Sequence, residues 1–118
     1  MNPCCRLRLL ALPSTDRLRY RQHLEQVGYL VVGDEAPAFD ALVIDARERP
    51  RMALKAVDQL RREGPMPVVV LADPLDSFVY RHVAGLRRSV VLYAPLSASD
   101  LQEALDGVTA DGRFDRSA

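Results

Sequence analysis

Phe39-Asp40-Ala41-Leu42-Val43-Ile44-Asp45 is the stretch on which the fold turns. Four apolar residues in a row, without polar alternation, describe a strand covered on both faces, as in a parallel sheet. The run closes on a carboxylate and gives way to the polar segment Arg47 to Arg51. In a doubly wound α/β sheet such a residue lies at the C-terminal edge of the strands, where these folds bind their ligands. Asp45 is therefore the leading candidate for a functional group. Its expected neighbours offer it little. Leu7 to Leu12 runs into Pro13 with no acidic residue, Val68 to Leu71 ends in Ala72 with no hydroxyl, and Val90 to Tyr93 ends in Ala94-Pro95 with no lysine.

Outward from this strand, apolar runs alternate with helical periodicity. Arg6 to Leu12 reads as a first strand, and Asp16 to Val27 as a helix with Tyr20, Leu24 and Val27 on one face. Ser14 and Thr15 are available to cap it, and Gly28 closes it. Tyr29 to Val32 is a second strand. Only Gly33 to Ala38 then separate it from the Asp45 strand, where a parallel crossover usually takes a dozen or more residues. A helix here has been cut to a turn, or Asp34-Glu35-Ala36-Pro37 bridges the strands as a loop.

Beyond Asp45, Ala53, Val57 and Leu60 mark a helix ending near Arg62, and Val68 to Leu71 is a fourth, wholly apolar strand. Leu75, Phe78, Val79, His82, Val83 and Leu86 mark the next helix, and Ser89 to Tyr93 a fifth strand. Leu101, Leu105 and Val108 mark the last helix, with Ser97 or Ser99 as its cap. Residues 109–118 are polar and aperiodic, a frayed tail or the start of a linker. Five strands alternating with helices predict one α/β domain over 1–108, flavodoxin-like, with strand order 2-1-3-4-5.

Composition narrows the function. Lys+Arg and Asp+Glu both number 16, so no overall charge draws the chain to nucleic acid or an acidic membrane. Adjacent Cys4 and Cys5 form neither a disulfide framework nor a metal-ligand spacing, which fits a reduced, cytoplasmic setting. No run approaches the roughly 20 apolar residues that span a bilayer.

The chain resembles a response-regulator receiver domain of two-component signalling, a CheY-like fold, over about Arg6 to Val108. Phe39 to Asp45 is similar to the family's third strand, whose last aspartate takes the phosphoryl group. Pro67 to Ala72 resembles its fourth strand, Leu92 to Leu96 its fifth strand with the following proline, and Leu101 to Leu105 its last helix. Ala110 to Phe114 is similar to the linker that precedes a LuxR-type helix-turn-helix output domain. The departures carry the functional reading. The family's acidic pair falls at Ala11 and Leu12, its Ser/Thr at Ala72, its Lys at Ala94 and its aromatic switch at Val91, with Tyr93 out of register.

The resemblance therefore implies a pseudo-receiver, with Asp45 as the phosphoacceptor equivalent, no catalytic residue, no metal and no cofactor. Such a module is not an enzyme; it acts in signal transduction and transcription regulation through protein contacts. Its expected partners are a second copy of itself and a sensor or regulatory protein, with DNA reached only through a C-terminal output domain and no membrane contact. The expected dimer face is the fourth helix, fifth strand and fifth helix, with Arg81, Arg87, Arg88, Asp100 and Glu103. Two alternatives stand beside this reading. One is a phosphorylatable receiver in which Asp73 or Asp16 helps Asp45 hold Mg²⁺. The other is a ligand sensor with an apolar pocket at Ala11, Leu12, Ala72 and Ala94. For Asp45 itself the plain reading is structural, accepting hydrogen bonds from loop amides near Arg47, with Arg47 or Arg49 available to neutralise it. His82 and His23 read as helix residues without a partner for chemistry.

Overall fold

The computed structural model describes residues 6–33, 38–64 and 66–117, with the backbone alone for Glu63 and 111–117. Cys4, Cys5 and the 34–37 segment lie outside the described residues. The strands are β1 (Arg6–Leu10), β2 (Leu30–Val32), β3 (Ala41–Asp45), β4 (Val68–Ala72) and β5 (Ser89–Tyr93). The helices are α1 (Ser14–Gln26), α2 (Pro50–Leu60), α3 (Ser77–Ala84) and α4 (Ala98–Ser117). All strands are parallel in the order β2-β1-β3-β4-β5, as the sequence predicts.

Strand alternation sorts the side chains onto two faces. Leu7, Leu9, Ala41, Val43, Val69 and Leu71 pack against Tyr20 and Leu24 of α1 and Leu101, Leu105 and Val108 of α4. Leu42, Ile44, Val68, Val70 and Ala72 pack against α2 and α3. Because β3 and β4 are covered on both sides, every residue in them is buried.

The β2–β3 connection explains an asymmetry between these faces. In parallel sheets crossovers are right-handed. Steps β2→β3, β3→β4 and β4→β5 run the same way across the sheet, so their helices belong on one face; β1→β2 runs the other way. Residues 33–40 are too few for a helix with its two loops. Among the described residues the α2–α3 face carries no helix over β1. The short connection is sufficient because β2 is short: Val32 pairs with Arg8 and Ala41 with Leu7, so the chain must only step sideways across β1. Two strand spacings are about 10 Å, well inside the reach of eight residues. The crossover arrives on Asp40, whose N–H donates to the Arg6 carbonyl at 2.7 Å and whose carboxylate accepts the Arg6 N–H at 2.9 Å. On the bare side of β1 the Arg8 guanidinium stacks 4.2 Å over the Phe39 ring.

Helix boundaries differ from the sequence reading at four places. Helix α1 begins at Ser14 behind Pro13, so Ser14 and Thr15 lie inside it and no side chain caps it. At its other end Gly28 (φ 108°) sends its N–H to Glu25 O and the Tyr29 N–H reaches Leu24 O at 3.0 Å. This αL stop leaves Val27 at the surface and buries Tyr29 on Leu24 instead. Helix α3 starts only at Ser77, capped by the Asp76 carboxylate on the Val79 N–H, so Leu75 is 91% exposed. Helix α4 starts in a reciprocal capping box: Ser97 Oγ accepts the Asp100 N–H at 3.1 Å and Asp100 Oδ2 accepts the Ser97 N–H at 2.9 Å. It runs on to Ser117, past the expected end at Val108, because 109–117 contain no proline to break it.

Candidate functional site

Asp45 ends β3 with its side chain only 6% exposed. A carboxylate this deep must be paired, and Arg47 pairs it twice over. The Arg47 backbone N–H donates to Oδ1 at 2.9 Å. Its guanidinium lies side-on against the carboxylate, Nε donating to Oδ1 at 2.9 Å and Oδ2 at 3.1 Å, and Nη2 to Oδ2 at 2.6 Å. This is the bidentate geometry that suits arginine. Nη2 also lies 3.5 Å from Asp16 Oδ2, at the start of α1. Asp16 in turn accepts from Arg19 Nη2 at 3.2 Å, and the Arg19 guanidinium sits 4.8 Å over the Tyr20 ring. Alternating charges thus tie the β3–α2 loop to α1.

The electrostatics follow from this chain of contacts. The hydrogen bonds it donates to Asp45 hold the Arg47 guanidinium further into its charged form than usual, overcoming the opposite pull of burial. Burial pushes the Tyr20 phenol up, with Asp16 and Asp45 adding to the effect and Arg19 and Arg47 opposing it.

A divalent cation of the kind receivers use needs several hard oxygen donors. Asp45 and Asp16 both face the Arg47 guanidinium, which lies 2.6 Å from the first and 3.5 Å from the second. Ala11 and Leu12 bring no oxygen to the site from their side chains. Ala11 is exposed with φ 65°, and Leu12 packs into the core. Ala72 is fully buried on the α2–α3 face, and the Ala94 N–H donates to its carbonyl at 3.3 Å. The Ala94–Pro95 peptide bond is cis. Asp73 turns away, its Oδ1 accepting the Leu75 N–H at 3.0 Å. Among the described residues no three His, Cys, Asp or Glu side chains form a metal-binding group. These residues do not fit the cation.

A cleft of about 880 Å³ opens beside the pair, between the C-terminal ends of β1 and β3 and the start of α2. The sequence reading set an apolar pocket at Ala11, Leu12, Ala72 and Ala94 as one alternative. Ala11 and Leu12 line the cleft, while Ala72 and Ala94 are not in its lining.

The five residues expected at an interface do not form one cluster. Arg87 and Arg88 precede β5 at the N-terminal edge of the sheet, and Asp100 and Glu103 follow it on α4 at the other edge. Arg81 is exposed in the last turn of α3. Arg88 is half-buried with φ 58°, its carbonyl accepting the Val68 N–H at 3.1 Å, and Asp100 already serves the capping box.

Sequence reasoning missed two side-chain latches on the α1–α4 face. His23 Nε2 lies 2.8 Å from Gln102 Oε1, joining α1 to α4. The Tyr29 hydroxyl donates to Asp106 Oδ1 at 2.5 Å, and burial together with this bond raises the phenol well above its ordinary value. His82 also has a partner, Asp58 of α2 at 3.0 Å. No local pattern announces pairs so far apart in the chain.

No protein-family model and no curated protein sequence matches this chain. Solved structures do match it. A response regulator receiver domain protein from Clostridium thermocellum aligns with a TM-score of 0.74 at 17% identity, over 94% of this chain and 98% of that one. A response regulator from Thermotoga maritima gives 0.71 at 16% identity, over 87% and 95%. NtrX from Brucella abortus, in complex with ADP, gives 0.78 at 13% identity over 97% of this chain, which spans 29% of NtrX. At these identities the likeness is one of architecture: the chain has the flavodoxin-like fold of response-regulator receiver domains.

Proposed function

We propose that this chain is a receiver-type signalling module that does not take up a phosphoryl group and regulates through protein contacts. One observation carries the reading: the Arg47 guanidinium lies on both oxygens of Asp45 and reaches Asp16. Phosphoryl transfer to a carboxylate needs a free anion, a metal ion beside it and cations on the phosphoryl oxygens. Here an internal cation occupies the carboxylate, and Ala72 and Ala94 stand where a hydroxyl and a lysine would read the product. The module is a binding protein and not an enzyme. Incubation with acetyl phosphate and Mg²⁺ should leave the intact mass unchanged. A phosphoryl adduct that disappears in Asp45→Ala would overturn the reading.

The contacts are proposed to include a second copy of the chain and a sensor or regulatory protein in the cytoplasm. β5 is an edge strand with basic residues before it and acidic residues after it. A two-fold axis across β5 brings the Arg87 end of one copy to the Glu103 end of the other, which makes this surface self-complementary. Sedimentation should show a dimer weakened by Arg87→Glu and restored when Glu103→Arg is added. A monomer at every concentration removes this part of the proposal. The continuation of α4 to Ser117 suits a linker toward a LuxR-type output domain, through which DNA would be reached.

A further inference from the structure

The cleft beside Asp45 is floored by Leu10, Ile44, Ala53 and Ala56, with Met52 at its rim 61% exposed. Its volume of about 880 Å³ lies within the range of small-molecule pockets, roughly 300–1,000 Å³. Among the described residues no helix lies over this part of the sheet. Two of its three carboxylates, Asp16 and Asp45, are already held by Arg47. The cation that remains is Arg49, whose described contact is the Met52 sulfur at 3.9 Å. Beside it the start of α2 has no side-chain cap and no acidic residue in its first turn, and Pro50 occupies its first position. The Ala53 N–H is taken by the Arg49 carbonyl at 3.0 Å, so the Arg51 and Met52 amides are the ones without an acceptor in the helix, and Arg49 with these amides favours an anion. Glu48, exposed on the same turn, opposes a second negative charge and so selects a single one.

We propose that this cleft binds a small amphipathic molecule, with its apolar body on Leu10, Ile44, Ala53 and Ala56 and its one carboxylate on Arg49 and the start of α2. The inference goes beyond the phosphate-independent reading and does not rest on it, since an adduct on Asp45 is read by mass and ligand binding by chemical shift. The test titrates the full chain with octanoate, octanol and octylamine as probes, followed by backbone amide NMR shifts. Octanoate should give saturable shifts confined to residues 10–13 and 47–56, and should bind roughly threefold or more tighter than octanol, with octylamine weakest. Arg49→Gln, an exposed change that leaves the core alone, should remove the advantage of octanoate over octanol. Ala56→Leu, which fills part of the floor, should weaken both. Absence of saturable shifts, shifts elsewhere on the molecule, equal affinity for octanoate and octanol, or an unchanged octanoate affinity in Arg49→Gln would each overturn the proposal. Should Ala56→Leu lose its native spectrum, the Arg49→Gln comparison decides alone.

Discussion

On one face of the sheet α1 and α4 close over an apolar core and are latched to their surroundings by His23 with Gln102 and Tyr29 with Asp106. On the other, α2 and α3 cover β3, β4 and β5 but leave the C-terminal end of β1 beside an open cleft. The same strands supply both faces, so the difference comes from the connections. A crossover helix is what turns an apolar strand face into a closed core. Where only eight residues join two strands, no such helix fits, and among the described residues the apolar floor at the end of β1 has no helix over it. The closed face accounts for the persistence of the fold; the open one is where a receiver architecture has room for a different input.

The sharpest way to break this comparison is to truncate one leucine on each face. Leu105 of α4 is fully buried in the closed core, and Leu105→Ala should cost about 3–4 kcal/mol in urea denaturation. Leu10 of β1 is half-buried at the cleft, and Leu10→Ala should cost about 1 kcal/mol, since the removed methyls border open space and not packed neighbours. Equal costs would mean that the cleft is closed in solution.

Next in size is the Arg47 clamp. Arg47→Ala leaves the buried Asp45 carboxylate with one backbone N–H in place of a bidentate guanidinium. Breaking a fully buried pair costs roughly 3–5 kcal/mol. Arg47 keeps 28% of its side chain exposed, so water replaces part of what is lost, and about 2 kcal/mol is expected. Asp45→Asn should cost less, because its oxygen still accepts the Arg47 N–H, while Asp45→Ala forfeits both, at roughly 1–3 kcal/mol. Added Mg²⁺ should leave the wild-type denaturation midpoint in place. A midpoint raised by Mg²⁺ would show that the cation displaces Arg47, and the phosphate-independent reading would then fail.

Much of this fold was legible because its strands are parallel. Strands buried on both faces are apolar without alternation, so Val68 to Leu71 and Ala41 to Ile44 stand out, and the spacing between β2 and β3 alone excluded a full crossover helix. The site was legible to the level of its anchor. Asp45 could be placed at the strand end, and Arg47 and Arg49 were both available to it; choosing between them took the turn geometry that brings the Arg47 amide and guanidinium onto one carboxylate. Helix ends were read less well, since Ser14, Thr15 and Leu75 have suitable side chains in unsuitable places. Ala11 and Leu12 could be named beside the site, but the outline of the cleft and the latches were not legible. A cleft is a property of what fails to cover a surface, and Tyr29 and Asp106 lie 77 residues apart with no periodic signal between them.

The latch gives the smallest of these effects and a distinctive one. Tyr29→Phe keeps the ring in the closed core and removes the hydroxyl that Asp106 accepts, which should cost about 1 kcal/mol near neutral pH. The pH dependence separates this bond from simple packing. Burial first, and then the bond to Asp106, raise the Tyr29 phenol above its ordinary value, so the folded chain holds that proton more tightly than the unfolded chain does. Above about pH 10, where an unfolded tyrosine ionises, the folded state binds more protons, and stability must fall as pH rises. The contribution is therefore complete below that pH and is lost above it. In Tyr29→Phe the titrating group is gone, so its stability should fall less steeply above about pH 10, with a residual slope from Tyr20, which burial also raises. Urea denaturation of both proteins from neutral to alkaline pH measures the two slopes. Parallel curves would show that Tyr29 ionises as freely in the folded chain as in the unfolded one, and the closed face would then owe nothing to this latch.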